Sequence, residues 1–327
     1  MLNGRTDLNR QIIENLKSSL PALELGSALE PDADLRAYLD FYAMSPEHFL
    51  PGVQHDIGYL EVDGYKLATH VWRPEHPVGT MLLVHGYYDH AGLYGHLVRF
   101  WLEEGYAVMV HDLPGHGLSS GSIASIDCFS RYSMVFRHCL EWAWGKLPGP
   151  WFLQGQSTGG AIITDTLVNY PELMARYDIA DVFLMAPLVR PMLWRMGLVQ
   201  YFLLRSFVSS VPRSRSNNSN DQAFLEFLAN DPLQSNVLPV EWVGALHQWI
   251  RRIESFRKPC PCSPLIIQGQ RDKTVNWRHN LKVLKRLYTN PDVFFIPDGC
   301  HHLANEIESI REQYFEAIRK RLAKRQG

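Results

Sequence analysis

Short uninterrupted apolar runs, separated by helical stretches, constrain this chain more than any other feature. They read Thr80-MLLV-His85, Ala107-VMV-His111, Trp151-FLQ-Gly155, Val182-FLM-Ala186, Leu265-IIQ-Gly269 and Val293-FFI-Pro297. A strand that is apolar at every position has both faces buried, as parallel strands under helical layers do. Leu93–Glu104, Cys128–Lys146, Gly160–Tyr170 and His279–Tyr288 carry helical patterns between them. The alternation predicts an α/β fold with a mostly parallel central sheet and helices on both faces. Ahead of it, alternating residues over Ile57–Val62, an Asp63-Gly64 turn and a second run over Tyr65–Trp72 predict a hairpin that supplies an antiparallel edge.

The rhythm breaks twice. Residues 1–50 read as a separate helical extension, with Leu35, Tyr38, Leu39 and Tyr42 at helical spacing before Pro46 and Pro51. Residues 188–256 show helical patches and a polar loop (Arg213 to Asp221) but no strand signal, as expected of an inserted helical cap. The core is then expected in two parts, 51–187 and 257–327. A basic cluster near the end (Arg319, Lys320, Arg321, Lys324, Arg325) reads as a solvated helix face.

Composition excludes several classes. The chain has 32 basic and 34 acidic residues, so it carries no net positive field for wrapping nucleic acid, and 46% hydrophobic content is ample for a core. Five cysteines, without paired metal-clasp spacing, read as small apolar residues in a reducing compartment and place the chain in the cytoplasm. The N-terminus shows no secretory leader. The apolar stretch Pro191–Val211 contains Arg195, Gln200 and Arg205, too polar for a spanning helix. Its Met192, Leu193, Trp194, Leu198, Tyr201, Phe202, Leu203 and Phe207 are apolar nearly all round. That excess predicts an acyl channel or peripheral membrane contact, beside the plainer reading of a cap core.

The chemistry centres on Gly155-Gln156-Ser157-Thr158-Gly159. A bare G-x-S-x-G arises by accident in about one chain of this length in ten. Here a buried strand enters it and a helix leaves it, which is the setting of a nucleophile elbow. A serine hydroxyl needs a base and a carboxylate to orient that base. In this architecture both follow late strands, in the order acid then histidine. Asp272 in GQRDKTV and His301 in DGCHHLANE meet that order. Oxyanion donors are expected at the backbone N–H of Thr158 and, from the loop after the Thr80 strand, of Tyr87.

These motifs, with HGYYDHAGLY, HDLPGHGLSSG, GQSTGG and NDPL, resemble the α/β-hydrolases of the monoacylglycerol lipase and bacterial lysophospholipase group from about residue 55 onward. The resemblance implies an α/β-hydrolase fold with Ser157 as nucleophile, Asp272 as acid and a histidine of the last motif as base. That motif is one residue shorter than the family's usual form. Counting back from Leu303 and Glu306 gives His301, and counting forward from Gly299 gives His302; the downstream register fixes more positions and favours His301. Asp89 occupies the family's acid position in the oxyanion loop, but Leu93 and Ala304 replace an arginine and a histidine that help hold glycerol.

The expectation is a serine carboxylic-ester hydrolase without cofactor or metal, acting on lipid esters with medium or long acyl chains, a monoacylglycerol or a lysophospholipid. One alternative is a serine aminopeptidase, with Asp221, Glu226, Asp231 and Glu241 as acids for an amino terminus. A catalytically silent ligand binder of the same fold is another. Asp112 reads as a turn-forming side chain, and His85 and His116 as loop anchors.

Overall fold

The computed structural model describes residues 8–27, 31–214 and 216–326. Parts of the expected extension (1–7 and 28–30) and Arg215 of the polar loop lie outside the described residues. The strands are β1 (Gln54–Val62), β2 (Tyr65–Arg73), β3 (Thr80–Val84), β4 (Ala107–His111), β5 (Trp151–Gln156), β6 (Ile179–Met185), β7 (Ser210–Pro212), β8 (Val237–Pro239), β9 (Leu265–Gly269) and β10 (Asp292–Ile296). Eight of them form one sheet in the order β1-β2-β4-β3-β5-β6-β9-β10. The β1–β2 hairpin is antiparallel and β2 lies antiparallel on β4; the remaining pairs are parallel.

Every residue of β3, β4, β5 and β9 is buried, as their mainly apolar character requires, and the buried Gln154, Gln156 and Gln268 find partners within the fold. Successive side chains go to opposite layers: Leu82 and Val84 join one core, Met81 and Leu83 the other. The first core takes α4 (Phe129–Ala143), α5 (Thr158–Asn169), the short α6 (Leu173–Arg176) and α10 (Trp277–Leu287); the second takes α3 (Gly95–Glu103) and α11 (Glu308–Gln326). β10 departs from the expectation of two covered faces. It is the sheet's edge, and Phe295 is 39% exposed.

The lead-in is tied to the core. Its helices α1 (Arg10–Ser19) and α2 (Ala33–Tyr42) begin at Asn9 and Asp32, whose side chains accept from Ile12 N and Leu35 N. Leu35, Tyr38, Leu39 and Tyr42 pack into the same cluster as Trp72, Val98 and Trp101. The segment between the helices pairs with β1 through Tyr59 N to Pro21 O (2.7 Å) and Leu23 N to Tyr59 O (2.9 Å).

Between β6 and β9 lie α7 (Trp194–Leu204), α8 (Gln222–Ala229) and α9 (Val240–Ser255). The strand-free expectation needs correction, because β7 and β8 form a small antiparallel sheet there. At three residues each they are too short to show an alternation. α9 is pinned through Asp165 of α5, whose buried carboxylate accepts from Trp249 Nε1 (2.9 Å), Arg252 Nη2 (2.6 Å) and Ser133 Oγ (2.5 Å). The terminal basic cluster is not simply solvated. Arg321 pairs with buried Asp181 (2.7 Å) and with Asp292 (2.6 Å), and Arg325 reaches Asp181 at 2.8 Å.

Candidate active site

β3 and β5 are neighbours with Val84 opposite Gly155, although the chain runs from β3 to β4 on the other side. This is the sheet's topological switch point, where the loops leaving two strands diverge and open a crevice. The loop after β3 brings Gly86 and Tyr87; the turn after β5 brings Ser157. Ser157 has φ 51° and ψ −110°, a left-handed conformation for a non-glycine residue. Its flanking glycines are steric necessities: a Cβ on Gly159 would lie 2.0 Å from Val84 O, and one on Gly155 2.5 Å from Gly159 C.

The loops after β9 and β10 complete a hydrogen-bonded chain. Ser157 Oγ lies 3.0 Å from His301 Nε2, and His301 Nδ1 lies 2.8 Å from Asp272 Oδ2. Asp272 Oδ1 accepts from Thr274 N (2.8 Å) and Val275 N (3.0 Å), and Gln268 Nε2 donates to Oδ2 (3.2 Å). Burial pushes this carboxyl's pKa up, but His301 and these backbone donors outweigh it and hold it below the ordinary carboxylate value. The two adjacent histidines point in different directions: His301 faces Ser157, whereas His302 turns to Asp89, with Nε2 3.2 Å from Oδ2 but out of hydrogen-bond geometry. Each ring faces its own carboxylate. Among the described residues no group of three or more His, Cys, Asp or Glu side chains is arranged to hold a metal.

Thr158 opens α5, so its N–H is free of the helix ladder and points out at the positive end of the helix dipole. Across the crevice, the turn at Gly86 is fixed by a relay in which Gly86 N donates to Tyr94 OH (2.9 Å) and Tyr94 OH donates to Asp89 Oδ2 (3.0 Å). Burial works against the Asp89 anion, yet nearby His302 and the Tyr94 hydroxyl keep its pKa well below the usual carboxylate range. Tyr87 stacks on Trp242 of the cap at 3.7 Å, which sets the loop's outer side.

Above Ser157 the cap encloses a cavity of about 790 Å³ that also reaches Tyr87, Thr158 and His301. α7 divides the apolar excess read from the sequence. Trp194, Tyr201 and Leu204, at helical spacing, line the cavity, while Met196, Val199, Phe202, Leu203 and, just beyond the helix, Phe207 are 50–84% exposed. Leu93 and Ala304 are both buried in the core and do not line the cavity.

The remaining candidates scatter. Asp112 accepts from Ala91 N (2.7 Å) and Leu118 N (2.8 Å) and shapes its loop. His85 Nε2 accepts from Leu113 N (2.9 Å), and His116 Nδ1 lies 2.9 Å from Pro114 O. Of the four cap acids, Asp221 caps α8, exposed Glu226 bonds Gln222, Glu241 accepts from Ser125 Oγ, and Asp231 is buried against His90 and Tyr42. None lines the cavity. Sequence reasoning missed Gln156, whose Nε2 holds His301 O at 2.8 Å, and the cap residues Asn218, Ser219 and Asn220, bonded to the histidine turn. Gln156 sits within the elbow motif itself; the polar cap loop carried no signal of its target.

The sequence profile of the family described as serine aminopeptidase, S33 matches residues 75–308. The chain belongs to that family. It is an α/β-hydrolase of the monoacylglycerol lipase and lysophospholipase group, an enzyme of the lipase and esterase kind. Human monoglyceride lipase is 23% identical over 79% of this chain and 87% of its own length. Phospholipase YtpA of Bacillus subtilis is 23% identical over 76% of this chain and 96% of its own. A monoacylglycerol lipase of Mycolicibacterium smegmatis is 33% identical, but over 35% of this chain and 41% of its own length. Among solved structures, a soluble variant of monoglyceride lipase from Saccharomyces cerevisiae superposes with a TM-score of 0.68 at 19% identity, over 81% of this chain and 94% of that one.

Proposed function

We propose that this chain hydrolyses lipid carboxylic esters through a covalent acyl-enzyme, with Ser157, His301 and Asp272 as its triad. The carrying observation is the Ser157–His301–Asp272 hydrogen-bonded chain at 3.0 and 2.8 Å beneath an apolar-lined cavity. Ser157 Oγ attacks the ester carbonyl while its proton passes to His301 Nε2. Asp272 keeps Nδ1 protonated and stabilises the imidazolium. The N–H groups of Thr158 and Tyr87 receive the developing oxyanion. Collapse of the intermediate expels the alcohol, which takes the proton from Nε2. Water, activated by the same nitrogen, then releases the fatty acid and restores Ser157.

The inner face of α7 supports a medium or long acyl chain, and the leaving group would be glycerol or a glycerophospholipid head. The outward face, with Phe207 84% exposed, supports peripheral contact with the lipid surface that delivers substrate. An aminopeptidase reading needs a carboxylate at the cavity that is free for the substrate ammonium; the cap acids lie elsewhere, and Asp89, which lines the cavity, is taken up by Tyr94 and faces His302.

Steady-state hydrolysis of p-nitrophenyl esters from acetate to palmitate, with Ser157→Ala alongside, tests the proposal. The expected result is a maximum at eight carbons or longer, on the order of chains that fill such a cavity, and a loss of about 10⁴-fold or more in the variant. Activity confined to acetate contradicts the lipid reading. Cleavage of aminoacyl anilides in place of esters moves the assignment to a peptidase.

A further inference from the structure

The cap's polar loop is bonded to the turn that carries His301. Asn218 O accepts from His302 N at 2.7 Å, and Ser219 Oγ donates to Asn305 O at 2.7 Å. Asn220 donates three times to one group: its N–H reaches Glu306 Oε2 at 2.9 Å, and its Nδ2 reaches Oε1 at 2.9 Å and Oε2 at 3.1 Å. Asn220 Nδ2 also reaches Asp298 O at 2.9 Å. Glu306 is fully buried, and its Oε1 accepts in addition from Cys300 N at 2.7 Å, the residue immediately before His301. A buried carboxylate is tolerable only when its lone pairs are met by donors. Here the donors come from the cap on one side and from the histidine turn on the other, with Ile307 N adding a longer bond to Oε2 at 3.3 Å.

The backbone around His301 is thereby held from three separate elements. Glu306 holds the N–H of residue 300, Gln156 of the elbow holds the carbonyl of 301, and Asn218 of the cap holds the N–H of 302. A short glycine-containing turn has few other means of fixing a ring that must reach Ser157 and Asp272 at once. We infer that Asn220 and Glu306 are positioning residues for His301, so that seating of the 218–220 segment on the histidine turn is a condition of catalysis. The segment belongs to the active centre, in contrast to α7, which covers it. The inference rests on His301 acting as the base.

The test uses the full chain and a soluble short-chain ester, p-nitrophenyl butyrate, which does not need the acyl channel. Asn220 is exposed apart from its bonds, so Asn220→Ala is expected to fold. Its kcat should fall by roughly ten- to a hundredfold, the scale of a small misplacement of a catalytic group. KM should stay within about twofold of the parent, because ground-state binding is untouched. Labelling of Ser157 by a fluorophosphonate should slow in parallel. Glu306→Gln keeps an acceptor for Cys300 but sets an amide donor against those of Asn220, so kcat falls again. Combining both changes should cost little beyond Glu306→Gln alone, since both act through one carboxylate. Gln222→Ala, whose amide bonds Glu226 on α8, should match the parent. Parental kcat in Asn220→Ala, a rise in KM alone, or fully additive losses in the double variant would each overturn the inference. Should Glu306→Gln fail to fold, Asn220→Ala decides. If Ser157→Ala is inactive while Asn220→Ala is unimpaired, the positioning role fails and the esterase reading stands; full activity in Ser157→Ala removes the ground of both.

Discussion

Asp272 does two things with one carboxylate. Oδ1 fixes the loop through Thr274 and Val275, and Oδ2 meets His301. Asp272→Asn keeps the loop acceptor but presents an amide donor to Nδ1, which forces the other imidazole tautomer and leaves Nε2 without a free lone pair. The expected outcome is a kcat lower by about 10⁴-fold in a variant that still unfolds cooperatively, read by steady-state kinetics and thermal unfolding of the same preparation. Ser157, Asp272 and His301 could be picked out as candidates because each follows a strand at a motif with its own backbone requirement; the structure brings the three side chains within hydrogen-bond reach. Asn220 and Glu306 were not legible as a pair. They are 86 residues apart, and a polar loop residue carries no mark of the carboxylate it will meet.

α7 carries apolar side chains on two faces. Its outer face makes a specific claim about lipid surfaces. Inserting a large apolar side chain contributes roughly 1.5–3 kcal/mol. Phe202→Ser combined with Phe207→Ser should therefore lower binding to phosphatidylcholine vesicles by at least about tenfold in a sedimentation assay. Hydrolysis of a soluble butyrate ester should hold within about twofold. Unchanged vesicle binding would mean the outer face does not meet lipid. The sheet strands were legible from continuous apolarity, and α7 was visible as an excess that a cap core cannot absorb. β7 and β8 were invisible at three residues each. The role of the terminal basic cluster was misjudged because Asp181, which Arg321 meets, lies at the start of a buried strand 140 residues away.

Across the whole molecule, the fold class followed from the alternation of strands and helices, while the attachment of the N-terminal helices did not, since it depends on Tyr42 meeting Asp231 (2.6 Å) and on apolar side chains meeting β2 and α3. Stability should depend on pH in a direction set by buried histidines. Burial lowers His111 and His116 to about 4, and lowers His70 well below its ordinary value of 6.5. Between about pH 6.5 and 4 the unfolded chain therefore binds protons that the folded chain does not, so stability falls as the pH drops, by up to about 1.4 kcal/mol per pH unit for each such group. His90 works in the opposite sense: burial lowers its pKa, but Asp231 outweighs that and raises it, so its contribution is complete below 6.5 and is lost as pH rises through the higher folded value. Buried Asp112, whose pKa burial raises, acts in the same sense as His90, but the two do not offset the three histidines, which His55, His85 and His96, lowered by burial as well, reinforce. The urea midpoint should be lower at pH 5 than at pH 7; an equal or higher midpoint would contradict this reading. The central claim, that Ser157 becomes acylated, is met most directly by peptide mass spectrometry after reaction with a long-chain fluorophosphonate. The account predicts one adduct, on the peptide containing Ser157, absent in Ser157→Ala and slow to form in Asp272→Asn. An adduct on another residue, or ester turnover persisting in Ser157→Ala, would contradict it.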